Sequence, residues 1–242
     1  MTAGTDAATS PSTATRPPGV VPGRDVTLDY VVFDLGGVIF TWTEALPQLA
    51  ERIGAPSGTS VEAFRAAYGA HRNEYDRDSD AVAYWTSVAR LCGAPEPSFA
   101  DVEALSVLDT DGWSHPDPAV VGVIEDLHRA GLQLAVLSNA PARMAANVRS
   151  QPWGGLFDHV VMSGALGLLK PEPAIYEHLL GELAAPADRV AFTDDLVTNV
   201  AGASAVGIHG IHFTGAAALR GALADFRIPL GAPLSPAPEI HV

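Results

Sequence analysis

The sequence places a carboxylate at the end of a short apolar run. Asp34 follows the run from Tyr30 to Phe33, and Gly36 and Gly37 come almost directly after it. A buried carboxylate loses its hydration, which is costly unless the group is paired, binds a metal or takes part in chemistry. Two glycines beside it let the backbone approach a ligand closely. The stretch therefore indicates a catalytic or metal-binding acid, and an ordinary turn after a buried strand is the simpler alternative.

Two later apolar runs also end in polar residues. Ser138 and Asn139 follow one of them, and Asp194 and Asp195 follow the other. Taken alone, each pair could simply cap the helix that comes next. If all these ends share one edge of a sheet, however, three carboxylates including Asp34 repel unless a cation lies among them. Hard oxygen ligands of this kind suit Mg²⁺, and the hydroxyl and amide groups can donate to phosphate oxygens.

A lysine offers a positive charge to the same chemistry. Lys170 lies in the segment Gly-Leu-Leu-Lys-Pro-Glu-Pro, where two prolines stiffen the chain. An ordinary solvated lysine is the alternative. A small anionic substrate such as a phosphorylated metabolite is compatible with all of these groups, because a divalent cation and helix N-termini bind phosphate locally.

Alternating strands and helices position these groups. The apolar periodicity predicts strands that alternate with helices from Asp117 onward, which indicates an α/β fold with a doubly wound parallel sheet. The carboxyl ends of such strands meet at one edge, where ligands bind. The predicted strands are 30–33, 132–137, 159–163, 189–193 and 208–213, and the predicted helices are 118–131, 141–150, 174–184, 196–206 and 215–226.

The stretch between the first two strands is helical and long. Four segments carry apolar residues at helical spacing, which is more than a crossover between parallel strands requires. We therefore expect an inserted helical cap over the strand ends. The four segments are 44–53, 60–72, 81–91 and 99–108. The predicted organisation is a Rossmann-like core of residues 29–43 and 112–228, a cap of 44–111, a disordered N-terminal extension of 1–28 and a flexible tail of 229–242.

Composition narrows the function classes. The net charge of −14 argues against binding to nucleic acid and against adhesion to anionic membranes. No apolar run approaches the roughly 20 residues that span a bilayer. A single cysteine, Cys92, excludes an intrachain disulfide, and no secretory signal is apparent. We expect a cytoplasmic protein, and the sequence does not indicate its oligomeric state.

The ordered set of motifs resembles the haloacid dehalogenase-like (HAD) hydrolases, of the type with a helical cap after the first motif. Phe33 to Val38 resembles the first motif of that superfamily, and Leu137 to Asn139 resembles the second. Lys170-Pro171 resembles the third. Phe192 to Asp195, together with Asn199 and Gly207, resembles the fourth. Singly these motifs are weak, but they occur in the right order with the cap in the right gap.

The resemblance implies a Mg²⁺-dependent phosphatase that forms an aspartyl-phosphate on Asp34, with a sugar phosphate as one candidate substrate. Lys170 is implied as a catalytic cation, and Ser138, Asn139 and Gly37 are implied to bind the phosphate. The implied metal ligands are Asp34, the carbonyl oxygen of Gly36 and Asp195, with Asp194 near or in the coordination shell. Asn199 is implied to orient a ligand or the lysine.

One departure from the resembling phosphatases concerns the general acid. They carry a second aspartate two residues after the nucleophile, where this sequence has Gly36. Three explanations stay open. The leaving group needs little protonation, as in an anomeric sugar phosphate or an acyl phosphate. A cap residue supplies the proton, with His71 or the pair Asp76 and Asp78 as candidates. Or the protein is a weakened enzyme that binds a phosphorylated ligand.

A 2-haloacid dehalogenase is the other hydrolase that the resemblance allows. It uses the same aspartate on carbon and needs no metal, so Asp194 and Asp195 would be surplus. Substrate specificity is expected from cap residues that face the strand ends. Arg72, Tyr75 and Tyr84 fall in a suitable stretch together with Trp85, although aromatic residues at helical spacing more often form the core of such a cap.

Overall fold

The computed structural model describes residues 27–41, 45–228 and 230. The extension predicted over residues 1–28 and the tail predicted over 229–242 lie almost wholly outside these residues. No helix in the described part of the chain is long and apolar enough to cross a membrane.

Five strands form a parallel central sheet, as the sequence predicts. They are β1 (Tyr30–Phe33), β4 (Gln133–Ser138), β5 (His159–Met162), β6 (Val190–Asp194) and β7 (His209–His212). Their order across the sheet is β5-β4-β1-β6-β7. Phe33 at the end of β1 pairs with Val136 of β4 and with Thr193 of β6. The carboxyl ends of β1, β4 and β6 therefore lie side by side at the centre of one edge.

Each face of the sheet is covered by helices. Val31 and Phe33 point into one apolar cluster, whereas Tyr30 and Val32 point into another. All four side chains of β1 are therefore buried, which explains its continuous apolar run. The first cluster includes residues of α6 (Pro118–Arg129), α7 (Met144–Ser150) and α10 (Ala216–Ala224), and the second includes residues of α8 (Pro173–Leu183) and α9 (Val197–Ala205).

Residues 45–112, which lie between β1 and β4, are mainly helical and have an apolar cluster of their own. The five helices are α1 (Leu46–Ile53), α2 (Val61–Gly69), α3 (Arg72–Asp78), α4 (Ala81–Cys92) and α5 (Phe99–Gly112). Side chains cap three of them. Ser60 accepts the Ala63 amide at the start of α2, Asp80 accepts the Ala83 amide at the start of α4, and Ser98 forms a capping box at the start of α5. We call these five helices the cap.

The structure corrects two details of the prediction. The helix predicted over residues 60–72 ends at Gly69, and a separate helix that the sequence did not predict, α3, runs over Arg72–Asp78. Helix α3 carries mostly charged side chains, so it has no apolar period to detect. The sequence also missed an antiparallel ribbon of β2 (Phe40–Thr41) and β3 (His115–Pro116), whose strands are only two residues long.

Helix α3 joins the cap to the core. The Ser163 hydroxyl, just after β5, donates to the carbonyl oxygen of Asp76 in α3. At the end of the same helix, the Ser79 hydroxyl donates to Gly164 O at 3.0 Å and accepts the Ala142 amide at 2.8 Å. These bonds hold α3 against the loops that follow β4 and β5, and so beside the functional edge of the sheet.

Candidate active site

A buried cation lies between two buried carboxylates at the edge of the sheet. Lys170 Nζ is 2.8 Å from Asp34 Oδ1 and 2.6 Å from Asp194 Oδ2. The residues are 4%, 7% and 0% exposed respectively, so water screens their charges little. When both acids are ionised the trio keeps one net negative charge. We call Asp34, Lys170 and Asp194 the core trio.

The strands place the two acids, and an asparagine places the lysine. Asp34 follows the last residue of β1, and its amide donates to the Thr193 carbonyl oxygen at 3.0 Å. The Asn139 side chain forms two hydrogen bonds with the backbone of Lys170. It donates to the carbonyl oxygen at 2.9 Å and accepts from the amide at 2.8 Å. Asn139 therefore fixes the lysine loop, and its predicted contact with phosphate stays a prediction.

Asp194 has both carboxylate oxygens engaged. Oδ1 accepts the Leu196 amide at 2.8 Å, and the Asn199 side-chain amide lies 3.0 Å from each oxygen. With Lys170 on Oδ2, four contacts occupy the acceptor sites of this carboxylate. Asp194 thus holds the lysine in place, and Asn199, predicted to orient a ligand or the lysine, acts on the lysine through Asp194.

The carboxylates of Asp34, Asp194 and Asp195 fit a magnesium ion. One oxygen from each can be chosen so that all three lie within 4.8 Å of one another. Oδ1 of Asp34 is buried, and its charged partner among the described residues is the Lys170 ammonium group at 2.8 Å. Because Asp194 is saturated by protein donors, the oxygens best suited to a hard cation belong to Asp34 and Asp195.

Two glycines make room for this arrangement. Gly37 has a φ of +74°, and a Cβ atom there would lie 2.5 Å from Asp195 Oδ2. Only glycine allows both that backbone conformation and that close approach. At Gly36 an added Cβ would lie 3.3 Å from the Trp113 ring. The indole therefore lies close to the space in which a side chain at position 36 would begin.

Burial and the neighbouring charges set the ionisation of the acids. Burial raises the pKa of Asp34 to about 6, although the Lys170 charge opposes this rise and the Asp194 charge adds to it. A hydrogen bond from Ser138, the last residue of β4, also lowers the pKa of Asp34. Burial and the Asp194 charge raise the pKa of Asp195 above its ordinary value.

The cap residues suggested by the sequence divide into core and surface. Tyr75, Tyr84 and Trp85 are buried within the cap, and the rings of the two tyrosines stack with centroids 4.4 Å apart. They form cap core, which was the simpler of the two interpretations. Of the three proton-donor candidates, His71 and Asp78 are exposed, whereas Asp76 is only 7% exposed.

Sequence reasoning missed three residues that connect the cap to the site. Tyr68 lies in α2, Asp109 lies in α5 and Trp113 is the residue after α5, and none follows a strand. The Tyr68 hydroxyl donates to Asp109 Oδ1 at 2.5 Å, and Trp113 Nε1 donates to that hydroxyl at 3.3 Å. Because helix packing creates these contacts, the strand-end pattern that pointed to the core trio gives no signal for them.

The chain belongs to the haloacid dehalogenase-like hydrolases. The model of that family matches residues 28–207, which contain the sheet edge, the cap and the core trio. The chain is therefore a hydrolase by family, as the motifs predict.

Named relatives and solved structures agree with this assignment. The chain is 27% identical over 195 residues to the sesquiterpene phosphatase astK of Aspergillus oryzae, covering 78% of this chain and 91% of that one. It resembles the L-2-haloacid dehalogenase of Xanthobacter autotrophicus with covalently bound chloropropionic acid, with a TM-score of 0.61, 21% identity and 84% of each chain covered. It also resembles the HAD family enzyme bt-2542 of Bacteroides thetaiotaomicron in complex with magnesium and inorganic phosphate, with a TM-score of 0.56, 17% identity and coverage of 76% and 93%.

Proposed function

We propose that this chain is a Mg²⁺-dependent phosphatase that hydrolyses a small phosphomonoester through an aspartyl-phosphate on Asp34. The observation that carries the proposal is the core trio with Asp195 beside it. A carboxylate, a fixed cation and a second free carboxylate converge at the edge of the sheet where parallel α/β folds bind ligands. A dehalogenase would have no use for Asp195.

Each residue has a role in that chemistry. The Asp34 carboxylate attacks phosphorus, a bond to its oxygen forms, and the bond from phosphorus to the leaving oxygen breaks. Water then attacks the same phosphorus, which releases inorganic phosphate and restores the carboxylate. Lys170 is positioned to offset negative charge on the transferring group, in a setting that excludes most water. Ser138 lies beside Asp34 and is a donor for the phosphoryl oxygens.

Asp34 and Asp195 would hold the metal, with Asp194 fixing the lysine next to it. When bound, Mg²⁺ would neutralise charge on the phosphoryl oxygens during transfer. The carboxylate cluster of this chain supports that assignment. The magnesium and phosphate of bt-2542 belong to a protein of 17% identity, which speaks for the shared fold alone.

The relatives favour phosphate over haloacid substrates. The sesquiterpene phosphatase, at 27% identity over 195 residues, supports a phosphorylated substrate, whereas the likeness to the haloacid dehalogenase, at 21% identity, speaks for the shared fold alone. A small phosphorylated metabolite is therefore the proposed substrate, and sugar phosphates are the first set to screen. Because the chain has a net charge of −14, it does not attract a phosphate as a whole. The phosphate would be attracted by the local cations of the site.

The test is hydrolysis of an aryl phosphate by the wild type and by Asp34→Asn, each with Mg²⁺ and with excess EDTA. An aryl leaving group needs little protonation, so the missing side chain at Gly36 does not hide activity. We expect turnover only in the wild type with Mg²⁺. Turnover that survives in Asp34→Asn contradicts the proposal. Activity on 2-haloacids that persists in EDTA would support the dehalogenase instead.

A further inference from the structure

The core offers no general acid at position 36. Gly36 has no side chain, and the Trp113 ring lies 3.3 Å from where its Cβ would be. General acid-base assistance is worth about 10²- to 10⁴-fold in rate. An enzyme that cleaves an alkyl phosphate therefore gains greatly from a donor elsewhere in the site.

Helix α3 of the cap carries a buried carboxyl group, that of Asp76, and lies beside the loop that follows β4. The Ser163 hydroxyl donates to the backbone carbonyl oxygen of Asp76 and accepts the Ala140 amide at 2.9 Å. Ala140 directly follows Ser138 and Asn139, the residues expected to meet the phosphate. A single serine thus ties the backbone of Asp76 to the loop after β4.

A continuous chain of polar contacts holds the Asp76 side chain. Arg72 Nε lies 3.0 Å from Asp76 Oδ1, one helical turn away, and the Arg72 guanidinium donates to Asp109 Oδ2 at 2.9 Å. The Tyr68 hydroxyl donates to Asp109, and Trp113 donates to Tyr68. The contacts therefore run from the ring beside position 36 to the Asp76 carboxyl group.

The charges around Asp76 suit a proton donor. Burial raises the pKa of Asp76 to about 7, the Arg72 charge opposes this rise, and the Asp109 and Asp34 charges add to it. The phenol of Tyr84 also interacts with this carboxylate. Because the charge of Asp34 acts on Asp76, the nucleophile and the cap carboxyl group are electrostatically coupled across the junction of cap and core.

We propose that Asp76 is the general acid of this enzyme, in place of the side chain that Gly36 lacks. The inference rests on the proposed phosphatase function. As the bond from phosphorus to the leaving oxygen breaks, the proton of the Asp76 carboxyl group moves to that oxygen and an alcohol departs. In the second step the Asp76 carboxylate accepts a proton from the water that attacks phosphorus. Arg72 is a positioning residue, because it acts through Asp76.

The test compares kcat/KM for an aryl phosphate and an alkyl phosphate in the wild type and in Asp76→Asn. A general acid matters in proportion to the basicity of the leaving group. We expect kcat/KM for the alkyl phosphate to fall about 10²- to 10⁴-fold and the aryl value to stay nearly unchanged. In the wild type the alkyl value should also fall as the pH rises through about 7, where the acid loses its proton. That fall should be absent from Asp76→Asn.

The controls separate this role from a structural one. Asp78→Asn changes an exposed acid of the same helix and should leave both substrates unaffected. Asp76→Glu keeps the carboxyl group and should recover part of the alkyl activity. Thermal unfolding of each variant shows whether the fold is intact.

Two results would overturn the inference alone, and a third would overturn the proposed function as well. Equal losses on the aryl and alkyl phosphates in Asp76→Asn, or no loss on either, contradict a general acid while the wild type remains a phosphatase. If the wild type turns over neither substrate, the proposed function itself fails, and the assignment of Asp76 fails with it.

Discussion

The core and the cap each hold one basic side chain between two aspartates, yet the two trios are built differently. In the core, Lys170 lies between Asp34 and Asp194. In the cap, Arg72 lies between Asp76 and Asp109, which we call the cap trio. Each trio keeps one negative charge when both acids are ionised. The core trio adjoins Asp195 and the ligand edge of the sheet, whereas aromatic rings enclose the cap trio.

The choice of cation matches this difference. Lys170 is the only lysine in the sequence, and it presents a compact ammonium group that fits between two carboxylates. The planar guanidinium of Arg72 lies 5.3 to 5.8 Å from the ring centroids of Tyr68, Tyr75 and Tyr84. Arginine stacks on aromatic faces and forks between acceptors, which suits a cation that holds a structure together. The core trio is thus arranged for chemistry, and the cap trio is arranged to position one carboxyl group.

The largest effect is expected from removing the cation of the core trio. Lys170→Met takes away the charge that stabilises the transferring phosphoryl group, so we expect kcat to fall about 10²- to 10³-fold. Steady-state kinetics on an aryl phosphate measures this loss. Asn139→Ala, which frees the lysine loop but keeps the ammonium group, should lose less. If Lys170→Met kept the wild-type kcat, the core trio would not be catalytic, and the contrast with the cap trio would be wrong.

Removing the cation of the cap trio should act on stability first. Arg72→Gln leaves Asp76 and Asp109 buried without their partner, which costs about 3 to 5 kcal/mol of the free energy of unfolding. Urea denaturation measures that loss. If Arg72→Gln unfolds at the same urea concentration as the wild type, the cap trio does not stabilise the cap, and the structural role assigned to Arg72 is wrong.

A smaller effect is expected at the glycine beside Asp195. Gly37→Ala should lower the free energy of unfolding by about 1 to 2 kcal/mol because of its positive φ. The added methyl group also pushes against Asp195 Oδ2. Gly167→Ala is the matched control, because its φ is also +74° but no atom lies within 4 Å of the added Cβ. Gly37→Ala should lose at least as much stability as Gly167→Ala, and only Gly37→Ala should need more Mg²⁺ for half-maximal activity. An equal Mg²⁺ requirement in both would remove Asp195 from the metal site.

The smallest effect is expected from Arg77, a more exposed arginine on the same cap helix as Arg72. Arg77 pairs with Glu172 and donates to the Gly167 carbonyl oxygen at 2.9 Å, but water screens these contacts. The unfolding midpoint of Arg77→Gln should equal that of the wild type within experimental error. A loss as large as that of Arg72→Gln would show that burial does not explain the difference between the two arginines.

The core was readable from the sequence because its chemistry follows strand ends. Asp34, Ser138 and Asp194 each come at the end of an apolar run, and parallel strands bring those ends together. The cap trio gave no such signal, since it joins α3 to α5 through helix packing. Helix α3 itself lacked an apolar period. Even in the core, the grip of Asn139 on the lysine backbone and the saturation of Asp194 depend on side-chain geometry, which residue spacing does not contain.

The most direct test of the central claim is to trap the covalent intermediate on Asp34. The enzyme is mixed with an aryl phosphate and Mg²⁺, quenched in acid during turnover and digested for peptide mass spectrometry. The proposed mechanism predicts a phosphate on the peptide that contains Asp34, removable by hydroxylamine as an acyl phosphate and absent from Asp34→Asn. Turnover with no phosphate on that peptide, or a phosphate on another residue, would contradict it.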